Sequence, residues 1–421
     1  MDGKPRQRLS ARLHAVGSRR HKADYWVLIL TALLLTIGLV VVYSISPGLA
    51  ASQHTSQSYF VIKQLIAVVM GVTTFAIASA IPVHVWKHLA KPLAVATLVG
   101  CLIVMITPIN AAYPAHRWIR LGSFSFQIAE LIKLTLIVWL AGFLTSRWRN
   151  NRLTDFSSTL KPLVLLMIGL GLVVAKLQSD LGSAGVMVAI MLAMAFVIGI
   201  PLKRIAMFGG LVVILLVVAI SSSGYRRERL STFLHPQSNC GGSGYQECQA
   251  LISVGSGGLS GLGLGYSVQA YGYLPEASND SIFAIIAEKF GFIGSVAMLG
   301  VYAFFIARLK SISEHCNDQF NRLIVVGVLA WLSTQMLINV GAMTGLLPLK
   351  GITLPLVSQG GTSLVFLTAA LGLVFQISRY TGYSKEEPQL NSNEFPKTNN
   401  STDGRRVRRT YNSSIVSRPR T

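Results

Sequence analysis

Long apolar runs make up most of this chain, so the few charged residues at their ends are the groups able to do chemistry. Lys63, Arg117, Arg120, Glu130, Lys133, Asp180, Asp280, Glu288, Lys289 and Lys350 all lie in or beside such runs. A charge at membrane depth is costly unless paired or hydrated, so such residues mark a polar cavity by default. A carboxylate such as Asp280, in the segment LPEASND, can take a proton from an acceptor hydroxyl. Arginine and lysine can stabilise a departing phosphate group, and the guanidinium fork matches phosphate oxygens. No P-loop or dinucleotide-binding spacing occurs among the glycines. A substrate would therefore carry its own activation, as a lipid-linked pyrophosphate sugar does. A divalent cation, Mg2+ or Mn2+, is compatible with pyrophosphate departure, and no motif fixes a metal site.

The elements that would position these groups follow from composition. Of 421 residues, 52% are hydrophobic and 13% charged, with a mean hydropathy of +0.54. Continuous apolar runs fall at 25–45, 60–81, 92–109, 128–144, 162–175, 181–200, 205–222, 282–306, 323–347 and 362–377. They predict an all-α membrane protein, a polytopic bundle of about ten transmembrane helices. A barrel would alternate apolar and polar residues, which these runs do not. The net charge of +21 would point to nucleic acid in a soluble protein. Here the basic residues crowd Lys4 to Lys22, Lys87/Lys91, Arg147–Arg152, Lys203/Arg204, Arg308–Arg322 and Arg405–Arg409. These are alternate connections, so the positive-inside rule places them and both termini in the cytoplasm, with topology and anionic lipid as their cause rather than nucleic acid. No cleavable signal peptide is evident, because the first apolar run is long enough to remain as a span.

Residues 1–24 form a basic tail, and 381–421, rich in Asn, Ser, Pro and Arg, read as a disordered cytoplasmic tail. Between them the one sizeable extramembrane segment is Ser223–Asp280, on the outer side. It holds the basic run Arg226-Arg227-Glu228-Arg229 and the glycine-dense stretch GSGGLSGLGLG. That stretch reads as close backbone packing, a substrate-facing loop or a flexible linker. Sorted by side, the polar residues in the spans gather toward the outer ends, with Lys63, Gln64, His116, Gln127, Lys176, Gln178, Asn339 and Gln359 beside the charges named above. The inner halves are nearly free of them. The working surface is therefore an outward-opening cavity.

Several of these residues also have bland roles. Glu130 and Lys133, three apart on one helix, can neutralise each other. Asp180 and Asp280 each precede an apolar run and can act as helix N-caps. Glu288 and Lys289 are adjacent and must find separate partners. Cys240 and Cys248 share the outer loop, where a disulfide is permitted; a metal pair would need further ligands, and only His235 is near. Cys101 and Cys316 read as free thiols.

The motifs HRWIRLGSFSFQIAELIKL, LQSDLG, SGYQECQALISVGSGGLSGLGLG, YLPEASNDSIFAIIAEKFGFIG and INVGAMTGLLPLKGITLPLVSQGGTS occur in this order. Together they resemble the SEDS family (shape, elongation, division and sporulation), over residues 25–380. The resemblance implies a peptidoglycan glycosyltransferase that polymerises lipid II into β-1,4 glycan at the outer leaflet, with inversion and release of undecaprenyl pyrophosphate. It implies Asp280 as general base, and Arg117, Lys133 and Lys350 as basic residues lining the cavity. Glu276, Gln249, Asp180 and Gln178 match motif positions that line the substrate region or support it. Lys350 and the long C-terminal tail resemble the cell-division branch rather than the elongation branch.

Four positions depart from the family pattern: Ser278-Asn279, Ile128-Ala129, Ser179 and Gln359. The resemblance further implies a bacterial cytoplasmic-membrane location at the septum. Its implied partners are a class B penicillin-binding transpeptidase and other divisome proteins. A lipid II flippase would need polar groups along the whole path, and often internal repeats, neither of which is seen. A scaffold that only recruits a transpeptidase is the third reading, opposed by the preserved acidic and basic motif residues.

Overall fold

The computed structural model describes residues 23–106, 117–121, 124–221, 223–235, 240–349 and 351–381. His116, Lys350, the side chains of Arg120 and Lys176, and both tails lie outside the described residues. Each expected apolar run falls on a helix: α1 (Tyr25–Gln53), α2 (Tyr59–Ala80), α3 (Val83–Ile106), α4 (Ile128–Arg149) and α5 (Lys161–Leu170). They continue as α6 (Leu181–Val197), α7 (Leu202–Ser221), α8 (Gly224–Leu234), α9 (Tyr245–Ser256), α10 (Ile282–Glu314), α11 (Gln319–Met343) and α12 (Gly361–Ser378). Among the described residues, eight helices are long and apolar enough to cross a membrane, the fifth of them, Phe156–Ala175, being α5 together with the π-helical turns that flank it. The helix α6 is shorter, at 17 residues, and α7 has 20.

Boundaries differ from the apolar runs because helices continue past the hydrophobic stretch. The helix α3 begins at Val83, with Pro92 inside it, and α1 runs beyond Ile45 with Pro47 inside. Prolines are tolerated inside membrane helices when neighbours re-satisfy the freed backbone groups. One element is not helical. An antiparallel hairpin, β1 (Trp118–Leu121) and β2 (Phe124–Gln127), pairs Trp118 with Gln127 and Ile119 with Phe126. Its alternating aromatic and polar residues leave the chain extended up to Gln127, the N-cap of α4.

The centre of the bundle is α4, α11 and α12, most of whose residues are buried, whereas α3 is largely exposed. Small residues allow close approach between helices. The helix α12 lies along α2, where Gly372 sits against the Phe75 backbone and the Thr74 and Thr368 hydroxyls are 3.1 Å apart. Nearby, Asp24 caps α1 by accepting from the Trp26 amide. It also pairs with Arg308 of α10, and its own amide donates to the Ser378 hydroxyl at 3.0 Å.

The helix α10 is interrupted. Gly291 has φ 64° and ψ −163°, a conformation that only glycine adopts freely. The break frees backbone groups on both sides, and the glycine-dense stretch supplies their partners. The Leu262 and Gly263 amides donate to the Glu288 and Lys289 carbonyls, each at 2.9 Å. Across the break, the Phe292 and Ile293 amides donate to the Gly258 and Leu259 carbonyls at 2.9 and 3.1 Å. A Cβ at Gly257 would overlap the Ala287 carbonyl, and one at Gly261, where φ is +81°, would overlap Lys289. Close backbone packing is thus the role of this stretch.

The adjacent pair Glu288 and Lys289 does find separate partners. Glu288 accepts from the Ser267 hydroxyl at 2.5 Å and from the Val268 and Gln269 amides at 2.9 and 3.2 Å. The Lys289 ammonium donates to the Leu264 carbonyl at 2.5 Å.

The described residues of the segment 223–280 are therefore folded rather than open. Its α9 packs on the first part of α10 through Ser253, whose hydroxyl donates to the Ala284 carbonyl at 3.0 Å. Cys240 and Cys248 are bonded, with Cα atoms 5.6 Å apart, which ties the start of α9 to the preceding turn.

Gly261→Ala should destabilise the protein by about 1–3 kcal/mol or more, since it adds backbone strain and a clash. Gly265, with open space around its Cα, is the control: Gly265→Ala should change the detergent melting temperature little. Mass spectrometry of the intact chain should show a gain of two hydrogens on reduction, and peptide mapping should place them at Cys240 and Cys248.

Candidate active site

Asp280 sits in the turn just before α10, half-buried. The cap of that helix is Ser281, whose hydroxyl instead donates to the Pro275 carbonyl at 2.9 Å. Asp280 is thus not spent on capping, and its carboxylate faces the segment 351–360. A Cβ on Gly351 would lie 3.0 Å from Asp280 Oδ2, so the absence of a side chain there lets backbone and carboxylate meet.

Main-chain contacts hold this pairing. Asn339 of α11 donates through Nδ2 to the Asp280 carbonyl at 2.7 Å and to the Ile352 carbonyl at 2.6 Å. The Ser358 hydroxyl donates to the Asn279 carbonyl at 2.7 Å, and the Gln359 amide to the Ser278 carbonyl at 2.9 Å. Three of the positions that depart from the family pattern, Ser278, Asn279 and Gln359, therefore meet mainly through backbone. The Gln359 side chain adds a tie of its own, donating to the Phe60 carbonyl at 2.7 Å. Ser179 adopts φ +53°, a left-handed turn open to few residues, and Ile128 and Ala129 are buried in the first turn of α4.

Charges converge on the carboxylate from several elements. Burial pushes the Asp280 pKa up to about 7, the carboxylates of Glu276 and Asp180 push the same way, and the Arg117 and Arg229 guanidinium groups pull it down. Asp180 is buried at the N-cap of α6, accepting from the Ser183 amide at 2.9 Å and from Gln127 Nε2 at 3.2 Å. Arg117 donates through Nε to the Gln178 carbonyl at 2.7 Å and through Nη2 to the Ser179 carbonyl. It thereby clamps the turn that presents Asp180. Glu276 is exposed and accepts from Asn279 Nδ2 at 2.5 Å.

Lys133 is placed differently. It is 1% exposed, and its ammonium lies 2.8 Å from Glu130 and 3.0 Å from Gln335 Oε1, over the Trp331 ring at 4.8 Å. The neutralising pair allowed by the three-residue spacing is thus formed. Gln335 in turn donates to the Thr353 carbonyl at 3.0 Å, so Lys133 reaches the site through the segment that faces Asp280. Gln249 is half-buried on α9, and Lys350 lies outside the described residues. Among the described residues, no three His, Cys, Asp or Glu side chains gather as metal ligands.

Two participants were not singled out by spacing. Asn339 appeared only as one polar residue among many near the outer ends, and Arg229 only as part of a basic run. The one available signal for Arg229 was a basic run in a connection that the positive-inside rule expects to be poor in basic residues.

The family model for FtsW, RodA and SpoVE, described as a cell cycle protein, matches residues 25–383. A probable peptidoglycan glycosyltransferase FtsW of Coxiella burnetii is 37% identical over 365 residues, covering 85% of this chain and 96% of its own. Stage V sporulation protein E of Bacillus subtilis is 34% identical, covering 87% of this chain and 100% of its own. Among solved structures, one on the structural coordination of polymerization and crosslinking by a peptidoglycan synthase complex superposes with a TM-score of 0.69 at 26% identity, over 85% of this chain and 98% of that one. The rod shape determining protein RodA of Thermus thermophilus superposes with a TM-score of 0.60 at 26% identity, over 86% and 98%.

A carboxyl group whose pKa is raised on folding binds more protons in the native than in the unfolded chain between the two pKa values. Stability from this group is therefore present at low pH and lost as pH rises from the ordinary value of 3.8 toward about 7. Asp280→Asn, neutral throughout, should melt increasingly above the unmodified protein as pH goes from about 5 to about 8. A difference in melting temperature that stays flat across this range would contradict the placement of Asp280.

Proposed function

The chain belongs to the FtsW/RodA/SpoVE family of cell cycle proteins, and on that basis we propose that it is a peptidoglycan glycosyltransferase that polymerises lipid II at the outer leaflet. The observation that carries the reading is the Asp280 carboxylate, held beside Gly351 with its backbone fixed by Asn339 and its pKa pushed up to about 7 by burial and by the Glu276 and Asp180 carboxylates, against Arg117 and Arg229. A general base works best when its pKa lies near the operating pH. Asp280 takes the proton from the 4-hydroxyl of the acceptor GlcNAc, and that oxygen attacks C1 of the donor sugar from the face opposite the pyrophosphate. The C1–O bond to the pyrophosphate breaks, undecaprenyl pyrophosphate leaves, and the new linkage is β-1,4 with inversion.

Arg117 and Lys350 stabilise the leaving pyrophosphate, as their types suit. Lys133, held by Glu130, joins them only by exchanging that carboxylate for phosphate; as placed, it supports the frame. Asp180, Glu276 and Gln249 order the acceptor side. A divalent cation, Mg2+ or Mn2+, could accompany the pyrophosphate, and none of these residue assignments depends on it.

The similarity to proteins called FtsW, at 37% identity in two relatives, supports the cell-division role over the elongation role. It also supports a multi-pass location in the cytoplasmic membrane at the septum, with both termini inside. The peptidoglycan synthase complex among the structural neighbours supports a class B penicillin-binding transpeptidase as partner, which would cross-link the strands as they emerge.

The test is polymerisation of lipid II by the purified chain with its transpeptidase, read as glycan strands on a gel. The unmodified pair should form strands, and Asp280→Asn should form none. Strands from that variant would remove Asp280 as the base. Passage of lipid II across a vesicle bilayer without polymer would make the chain a transporter instead.

A further inference from the structure

The outer segment opens with α8, whose arginines divide by face. Arg226 and Arg229, one helical turn apart, are half-buried, while Arg227 and Glu228 between them are exposed. Each inward arginine reaches a main-chain carbonyl of a different element. Arg226 Nη2 donates to the Ala175 carbonyl, at the outer end of the fifth span, at 2.7 Å. Arg229 Nη1 donates to the Leu349 carbonyl at 3.3 Å. Leu349 is two residues before Gly351, where a Cβ would lie 3.0 Å from Asp280 Oδ2. Arg229 thus holds the chain close to the glycine that stands beside Asp280.

We propose that Arg229 is a positioning residue of this site, which holds the Leu349 carbonyl just ahead of the glycine beside Asp280 and sets a fixed positive charge near its carboxylate. The proposal deepens the glycosyltransferase reading and rests on Asp280 as the base. The groups acting on Asp280 come from four elements: Glu276 in its own turn, Asp180 at the cap of α6, Arg117 before β1 and Arg229 on α8. Lys350, on the facing segment, lies outside the described residues. Burial and the two carboxylates favour the protonated acid, which is no base, while the two guanidinium groups favour the carboxylate. Losing one of them leaves less base at neutral pH. A purely structural arginine would leave that titration unmoved.

The measurement is the pH dependence of dicyclohexylcarbodiimide labelling at Asp280, followed by peptide mass spectrometry on the full chain in detergent. Only the protonated carboxyl reacts, so the labelling midpoint reports the Asp280 pKa without requiring turnover. In Arg229→Gln the midpoint should rise, and the acid limb of lipid II polymerisation should move up with it. In Arg229→Lys, which keeps the charge and loses the fork, the midpoint should stay near that of the unmodified chain. Deuterium uptake across residues 349–353 should nevertheless quicken several-fold in Arg229→Lys.

An unshifted midpoint in folded Arg229→Gln overturns the electrostatic role. Unchanged uptake in Arg229→Lys overturns the pinning role, and this arm stands even if the glutamine variant does not fold. A chain that shows both effects yet makes no glycan would sustain the role of Arg229 and remove the enzymatic reading.

Discussion

One carboxamide holds the two halves of the site together. Asn339 spends both hydrogens of its Nδ2 on carbonyls from separate segments, Asp280 and Ile352, and it is itself 1% exposed. A buried carbonyl left without a donor costs roughly 1–3 kcal/mol, and here a single side chain serves two. Neither segment is helical at these points, so neither can satisfy its own backbone. The turn that carries Asp280 and the loop that faces it are thus registered against each other by a residue of a third element, α11. Ser358 and Gln359 reinforce the same register through the carbonyls of residues 279 and 278.

This explains how a site can keep its geometry while its motif residues change. The contact between residues 278 and 359 is amide to carbonyl and so does not depend on their side chains, although the Gln359 carboxamide holds the Phe60 carbonyl as well. The charged positions have less freedom. Asp180 is held by its cap bond and by Gln127, and Arg117 by the carbonyls of the turn before it. Each acidic or basic group near Asp280 is therefore fixed by a local bond of its own, and its field on the base follows from that placement.

Much of this was legible in the residues themselves. The apolar runs fall on helices, eight of them long enough among the described residues to cross a membrane, because continuous hydrophobicity in a membrane leaves the backbone few other ways to satisfy itself. The three-residue spacing of Glu130 and Lys133 foretold their pairing, and Asp180 before an apolar run foretold its cap. Illegible were the features that depend on residues far apart in the chain. The partners of Glu288 lie about twenty positions upstream, and Arg229 meets a carbonyl at position 349. Such meetings leave no period or local signature. The hairpin at 118–127 was missed for another reason: two four-residue strands are too short to stand out beside runs five times longer.

The interrupted helix α10 acts as a ruler for the chain before it. Four main-chain bonds fasten residues 258–263 to residues 288–293, while Gly257 rests on Ala287 and Gly261 on Lys289. An inserted or deleted residue between these two stretches would have to bulge out of the connecting turns, because both ends are clamped backbone to backbone. Variation in loop length is thereby driven upstream, to the segment between α8 and α9. Lineages that share this clamp should therefore differ in the number of residues before position 257 and agree in the number after it.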